Sequence, residues 1–372
     1  MKLTIERATL LKALGHVQSV VERRNTIPIL AHVMIEARDG VLALTATDMD
    51  LSIDERVAAD VSQTGRTTAP AHTLYDIVRK LPDGADVAIG SDAAFGRVTV
   101  RAGRSRFALQ ALPVEDFPTI GGGELTIRFV LAAGELRGLI DRTRFAISTE
   151  ETRYYLNGIY LHTAGANGAR ALRAVATDGH RLARVEVSMP EGAAEMPGVI
   201  VPRKAVQELR KLINESADQV EIELSETRIR FAFDNAALTS KLIDGTFPDY
   251  ERVIPSNNDK VMDVDCHAFS AAVDRVSTIS TEKSRAIKLA VGPGNLTLSA
   301  TSPDAGTATE ELEISYDAQA MEIGFNSRYL LDITQQIEGA EVRFVLSDPA
   351  SPTIVRDTAD DSALYVLMPM RV

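Results

Sequence analysis

Cysteine is almost missing from the 372-residue chain: Cys266 stands alone. That excludes a disulfide framework and any cysteine-built zinc or iron–sulfur site within one chain. Tryptophan is absent and aromatic residues make up only 5%, so base stacking on an aromatic platform is not an expected mode of action. No stretch approaches the ~18 apolar residues of a membrane span. The opening Met1-Lys2-Leu3-Thr4-Ile5-Glu6-Arg7 lacks the apolar centre of a secretory signal, and the expectation is a cytoplasmic protein. Positive charge is also in deficit, 40 Lys+Arg against 52 Asp+Glu, a net of −12. An acidic total argues against a general nucleic-acid coat.

Catalytic signatures are equally scarce. The six histidines, His16, His32, His72, His162, His180 and His267, show no HxxxH spacing, and neither a GxSxG elbow nor a phosphate-loop pattern occurs. Asp178-Gly179-His180 could suggest an acid–base pair, but it comes with no identifiable nucleophile. The expectation is a non-enzyme that needs no metal or cofactor.

What the chain does have is repetition. Leu42-Ala43-Leu44-Thr45-Ala46-Thr47-Asp48 is echoed by Leu172-Arg173-Ala174-Val175-Ala176-Thr177-Asp178 and by Leu296-Thr297-Leu298-Ser299-Ala300-Thr301-Ser302. The Ala-Thr pairs lie 130 and then 124 residues apart, close to one third of the chain. Each copy alternates apolar and small or polar residues, as a half-buried strand does. A Gly-containing turn precedes each, and another apolar run, 33–37, 158–162 or 287–291, precedes the turn; these are hairpin signals. An amphipathic helical stretch lies upstream of each hairpin, at 8–24, 135–149 and 266–281, and a second lies downstream, at 71–81, 203–214 and 327–337. Strand-like runs at 97–112, 228–243 and 353–370 close the units. The same elements in the same order three times predict an α+β fold of three similar domains, antiparallel sheets with two helices each. Turn-rich segments place the domains at 1–122, 123–256 and 257–372.

Charge is sorted among these elements. Taken as 7–24, 72–83, 135–149, 203–214, 266–285 and 326–337, the six helical stretches carry a net of +8 and the rest of the chain −20. In the first, Lys12, His16, Ser19 and Arg23 recur opposite Leu10, Leu14, Val17 and Val21. In the third, Arg137, Asp141, Arg144 and Ser148 oppose Leu136, Leu139, Ile140 and Ile147. In the fourth, Arg203, Gln207, Arg210 and Asn214, flanked by Lys204 and Lys211, oppose Val206, Leu209 and Ile213. One such face is an ordinary solvated helix; the bias summed over the six suggests a shared positive surface. Basic helix faces with few aromatics suit sequence-independent phosphate contacts.

Three units with open sheet edges call for closure. If the helices line a ring at ~9 Å spacing, six give a bore of only ~7 Å, whereas twelve from two chains give at least ~24 Å, enough for a duplex about two helix widths across. The sequence thus predicts a head-to-tail dimer, helices lining a central pore and sheets outside.

Several stretches carry a resemblance: Thr26-Ile27-Pro28-Ile29-Leu30, Gly103-Arg104-Ser105-Arg106-Phe107, Arg153-Tyr154-Tyr155-Leu156-Asn157-Gly158, Ala176-Thr177-Asp178-Gly179-His180-Arg181-Leu182-Ala183, Val201-Pro202-Arg203-Lys204, Phe247-Pro248-Asp249-Tyr250, Glu322-Ile323-Gly324-Phe325-Asn326 and Tyr365-Val366-Leu367-Met368-Pro369-Met370-Arg371. In this order and spacing the chain resembles, over essentially its whole length, the bacterial DNA polymerase III β subunits, the replication sliding clamps. The resemblance implies a homodimeric ring of six similar domains around duplex DNA, loaded by an ATP-driven clamp loader and tethering the polymerase III catalytic subunit and other clamp-binding proteins. It implies a partner-peptide pocket formed by Arg153, Leu156, Thr177, Gly179, His180, Arg181, Leu182, Pro248, Arg252, Val253, Asn326, Tyr329, Val366, Leu367, Met368, Pro369, Met370 and Arg371. It implies DNA contacts from Arg24, Arg153, Tyr154, Tyr155, Arg203 and Lys204, and a dimer seam of Arg104, Arg106 and Phe107 against Thr278 and Ile279. Ser284 and Pro352 depart from enterobacterial members, which carry an aromatic and a small polar residue there. The alternative is a repeat scaffold that binds protein partners only.

Overall fold

The computed structural model describes residues 1–24, 26–92, 96–120, 123–166, 169–213, 218–280 and 285–371. Among these lie six α-helices: α1 (Arg7–Gln18), α2 (Ala71–Lys80), α3 (Ala133–Asp141), α4 (Arg203–Ile213), α5 (Cys266–Ser277) and α6 (Ser327–Thr334). Every expected helix is present, yet α1 stops at Gln18 rather than Arg24 and α3 at Asp141 rather than Thr149. The reason is local in both. Ser19 donates its hydroxyl to the His16 carbonyl, and Thr143, fully buried, donates to the Leu139 carbonyl. Each side chain binds a last-turn carbonyl while the backbone tightens to three-residue bonds, Ser19 N–H to His16 and Thr143 N–H to Ile140. Residue 214, the end of the expected fourth stripe, and residues 281–284 lie outside the described residues.

The chain divides into two compact units, one of residues 1–137, 190–197 and 204–242, the other of residues 138–189, 198–203 and 243–372. The first holds two antiparallel sheets. One runs Asp60–Gln63, Lys2–Glu6, Asp86–Asp92, Arg97–Ala102, Ser105–Gln110; the other runs Ile127–Ala132, Gln219–Leu224, Arg228–Ala232, Ala236–Lys241, Leu51–Ala58, Val41–Thr47, His32–Arg38, Gly65–Pro70. The second unit also holds two. One runs Val199–Pro202, Gly158–Ala166, Ala169–Thr177, Arg181–Ser188, Ala363–Leu367, Thr353–Asp357, Glu341–Leu346, Lys260–Asp265; the other runs Gly306–Glu313, Asn295–Ser302, Ala286–Gly292, Met321–Asn326.

The three echoed segments are the second strands of three hairpins, as their alternation predicts. Asp39 and Gly40, at φ 51° and 77°, close the first, the paired positive angles that a two-residue hairpin turn demands. The strand after each echo sets the inter-repeat pairing. Leu51–Ala58 pairs with Ala236–Lys241, and Arg181–Ser188 pairs with Ala363–Leu367. Their counterparts by position in the repeat, Gly306–Glu313 and Ser105–Gln110, end their sheets with no second strand partner among the described residues.

The repeat extends to side-chain detail in the turns. Thr47 Oγ1 donates to the Leu51 carbonyl and accepts from the Met49 N–H, while Asp48 Oδ1 accepts from the N–H groups of Asp50 and Leu51. Thr177 and Asp178 make the same four bonds with Arg181, Gly179 and His180. Acidic strand ends also cap the following helices: Glu6 accepts from the Thr9 N–H and Asp265 from that of Ala268, satisfying donors a helix start leaves free.

Candidate functional site

The Thr177–Arg181 turn is the centre of the expected peptide pocket. Asp178 is spent on it: Oδ1 holds the His180 and Arg181 N–H groups and Oδ2 takes the Arg181 Nε–H. The suspected acid–base pair is therefore a turn device. Gly179 sits at φ 88°, and a Cβ there would lie 2.6 Å from Arg153 Nη1. Glycine serves both the backbone angle and the close approach of that guanidinium. Arg153 is held in place by Glu150, Nε and Nη2 donating to its two oxygens at 2.8 and 2.6 Å. That hydrogen bonding keeps the Glu150 carboxyl below its ordinary pKa.

Arg181, 9% exposed, is the most heavily engaged residue of the set. Beyond Asp178 it donates to Asp332 Oδ2 and to the Phe145 carbonyl. Its guanidinium lies over the rings of Tyr329 and Phe145, 4.3 and 5.1 Å from their centroids. The ring of His180 stacks near Tyr329, centroids 6.5 Å apart. Asn326 caps α6 through the Arg328 N–H, which fixes the turn carrying Tyr329.

The C-terminal segment closes the site. The Met368 N–H donates to the His180 carbonyl and the Met370 N–H to that of Gly324, each at 2.9 Å. Leu156, Leu182 and Val366 are buried in one apolar cluster with Val175, Ile354, Phe247 and Tyr250, and Leu367 is 1% exposed. These are floor and core rather than rim. Pro248, Arg252 and Val253 are exposed on the segment that Phe247 and Tyr250 pin down. Arg252 pairs with Asp249. Val253 at 50% and Met368 at 42% are exposed apolar side chains on the same unit, Pro369 and Met370 are half-buried, and Arg371 is exposed. Pro352 offers its carbonyl to Asn258 Nδ2; Ser284 lies outside the described residues.

The expected DNA contacts divide. Arg24 and Arg203 are exposed and make no ion pair among the described residues. Lys204 is half-buried and bonded to Asp48 and Glu22. Burial opposes its charge, but those hydrogen bonds prevail and hold its pKa above the ordinary value. Tyr154 is 53% exposed, edge-on to Tyr155, and Tyr155 packs on the apolar cluster. The helix stripes need correction. His16 is paired with Glu55 at 3.0 Å, Ser19 donates to Glu208, Lys211 reaches both oxygens of Glu208, and Ser148 is buried. Of the predicted basic surface, His16 and Lys204 are taken up by acidic partners on distant segments and Lys211 by Glu208 on its own helix. Lys12, His16, Tyr75, Glu208 and Lys211 line a groove of about 500 Å³ there.

At the expected seam, Arg104 and Arg106 are exposed and Phe107 half-buried on or beside the edge strand Ser105–Gln110. Thr278 caps the end of α5 and is exposed, and Ile279 is half-buried. Sequence reasoning missed Glu150, Phe145 and Asp332, which hold Arg153 and Arg181. Their partners lie 3, 36 and 151 residues away, and only the Glu150 to Arg153 spacing is a readable signal.

Family models of the DNA polymerase III β subunit match in three parts: N-terminal domain over residues 1–121, central domain over 130–249 and C-terminal domain over 251–371. The chain belongs to the DNA polymerase III β subunit family. The β sliding clamp of Caulobacter vibrioides is 56% identical over 372 residues, covering 100% of both chains, and that of Escherichia coli K12 is 40% identical over 375, again 100% of both. Among solved β-clamp structures, a DNA polymerase sliding clamp from Caulobacter crescentus superposes with a TM-score of 0.95 at 56% identity, covering 100% of each chain. A sliding clamp from Bartonella birtlesii bound to griselimycin gives 0.97 at 51%, also covering 100% of each. The α+β fold expected from the repeats, and the clamp fold implied by the resemblance, is thus the fold observed, and no helix among the described residues is long and apolar enough to cross a membrane.

Proposed function

We propose that this chain works as a replication sliding clamp: two copies close head to tail around duplex DNA and tether polymerase by its peptide segments. It has three domains, 1–122, 123–256 and 257–372, acts in the cytoplasm and performs no catalysis, needing no metal or cofactor. The observation that carries the reading is the pair of leftover edges. Strand pairing between successive repeats consumes Leu51–Ala58 with Ala236–Lys241 and Arg181–Ser188 with Ala363–Leu367. The same rule applied once more pairs Gly306–Glu313 with Ser105–Gln110 of a second copy. Exposed Glu311 and Glu313 on one edge complement Arg104 and Arg106 at the other, and an exposed edge left open is an aggregation liability. Each such contact is heterologous, one edge of a copy against the other edge of its partner, and two of them close a ring.

In that dimer Arg24 and Arg203 are cations for the phosphate backbone, with Arg153, Tyr154, Tyr155 and Lys204 as further candidate contacts. The surface around Arg153, His180, Tyr329 and Met368 receives apolar side chains of polymerase III catalytic subunit, clamp loader and other partners. Methionine suits such a surface because its flexible side chain adapts to varied ligands. Griselimycin on the Bartonella relative is consistent with a ligand-accepting surface in this family.

Light scattering at low micromolar concentration should give twice the 40.3 kDa chain mass. Loaded clamp should then stay on nicked circular DNA and be lost once the circle is cut. A monomer at all concentrations, or equal retention on linear and circular DNA, sinks the ring reading and favours a protein-only scaffold.

A further inference from the structure

One face of the eight-stranded sheet in the second unit carries an unusual row. On Arg181–Ser188, Leu182 and Arg184 point to the same face, as do Leu364 and Val366 on Ala363–Leu367 and Ile354 and Arg356 on Thr353–Asp357. Register sets Leu182, Val366 and Ile354 side by side, and Arg184 opposite Leu364. Arg356 follows one residue after the Val355–Tyr365 pair. Two arginines therefore flank Leu364 across three strands, their Cα atoms about 10 Å apart. They lie one register step from the apolar floor of Leu182, Val366 and Ile354.

The neighbouring cations are compensated and these two are not. Arg173 is bound by Glu186, Glu251 and Tyr250, and Arg343 by both oxygens of Asp263 at 2.8 and 2.7 Å. Arg184 and Arg356 make no ion pair or hydrogen bond among the described residues, and the Nε–H of each is shielded from solvent with no acceptor. Glu186 favours the charge of Arg184 without bonding to it, and its Oε2 accepts from Arg173. Burial and the nearby charges of Arg173 and Arg356 disfavour the cationic form of Arg184. Half-buried cations without partners are costly to keep, and guanidinium forks are shaped to grip a carboxylate.

We propose that Arg184 and Arg356 form a carboxylate-recognition point at the margin of the apolar floor, selecting partner segments that carry an acidic residue beside their apolar anchors. This rests on the peptide-binding reading above. The occupant is the carboxylate of a partner peptide: the two guanidinium groups have no acceptor among the described residues, the nearby Glu186 is bound to Arg173, and the adjoining floor is apolar. The pair thereby becomes a specificity device, adding little for a neutral peptide and discriminating by charge.

The test uses the full-length protein and two fluorescein-labelled apolar peptides identical but for one central residue, aspartate in one and asparagine in the other, read by anisotropy. The wild type should bind the aspartate peptide about tenfold more tightly at low salt, and the margin should shrink as salt rises. In Arg184→Gln plus Arg356→Gln the two peptides should bind alike, at the asparagine peptide's wild-type affinity. The variant's melting temperature should equal or exceed that of the wild type, since no intramolecular pair is lost. Equal binding of both peptides by the wild type, or discrimination surviving in the double variant, overturns the assignment while leaving the apolar floor as a binding surface. Failure of either peptide to bind the wild type overturns the peptide reading and this inference together.

Discussion

The guanidinium of Arg181 lies 4.3 Å from the ring centroid of Tyr329 while its Nη1–H donates to Asp332 on the same helix. One buried cation thus fixes both the ring that faces His180 and the helix that carries it. Arg181→Ala would strand Asp178 without its counter-charge and leave Asp332 only the longer pair with Arg328 at 3.9 Å. It should lower stability by about 3 kcal/mol, measured by urea unfolding, and weaken peptide binding about tenfold. Arg181→Lys should recover little of either, because an ammonium neither stacks on two rings nor forks to two acceptors. Full recovery with lysine would show that charge alone suffices.

Met49 occupies the place in the first repeat that Gly179 holds in the second, and does so at φ 80°. A side chain there is strained, so Met49→Gly should stabilise the protein by roughly 1 kcal/mol after allowing for the freer unfolded chain. Gly179→Ala should cost about as much and should also displace Arg153, which presses on Gly179. Paired thermal melts of the two variants decide: shifts of the same sign would refute the equivalence of the turns.

The repeat made most of the fold readable. Alternation at 42–48, 172–178 and 296–302 located three hairpins, and the helices begin within about two residues of where the apolar stripes suggested. Helix ends were less legible because Ser19 and Thr143 stop α1 and α3 with side-chain bonds that a hydrophobic stripe does not encode. The charged surface was the least legible. Lys204 and Lys211 look free in sequence, yet Asp48 is 156 residues from the first. Glu208 sits three residues before Lys211, its oxygens shared with Ser19, which is 189 residues away. Arg184 and Arg356 attract no attention in sequence, since only strand register brings them to flank Leu364.

Two histidines give the stability a predictable pH dependence. Burial lowers the pKa of His162, and of His32, below 6.5. The neutral rings are in use, His162 bonding to Tyr250 and Thr163 and His32 to Thr68. Below about pH 6.5 the unfolded chain takes up protons that the folded chain resists. Their contribution is therefore complete above that pH and is lost as pH falls through it. Urea midpoints measured from pH 7.5 to 5.5 should decline, and less steeply in His162→Gln. A slope unchanged by that substitution would remove His162 from the account.

Arg203 and Lys204 are adjacent at the start of α4 but differ in what surrounds them. The guanidinium of Arg203 is exposed and unpaired among the described residues, whereas the Lys204 ammonium bridges Asp48 and Glu22. A cation already neutralised by two carboxylates releases few counterions on meeting a phosphate. Arg203→Ala should therefore reduce the salt dependence of retention on circular DNA by about one unit of log–log slope, with no change in melting temperature. Lys204→Ala should do the reverse, lowering stability by roughly 1 kcal/mol and leaving the salt slope nearly intact. Titrating retention against salt for both variants separates the roles. Equal loss of slope in the two would mean that Lys204 abandons its carboxylates when DNA is present.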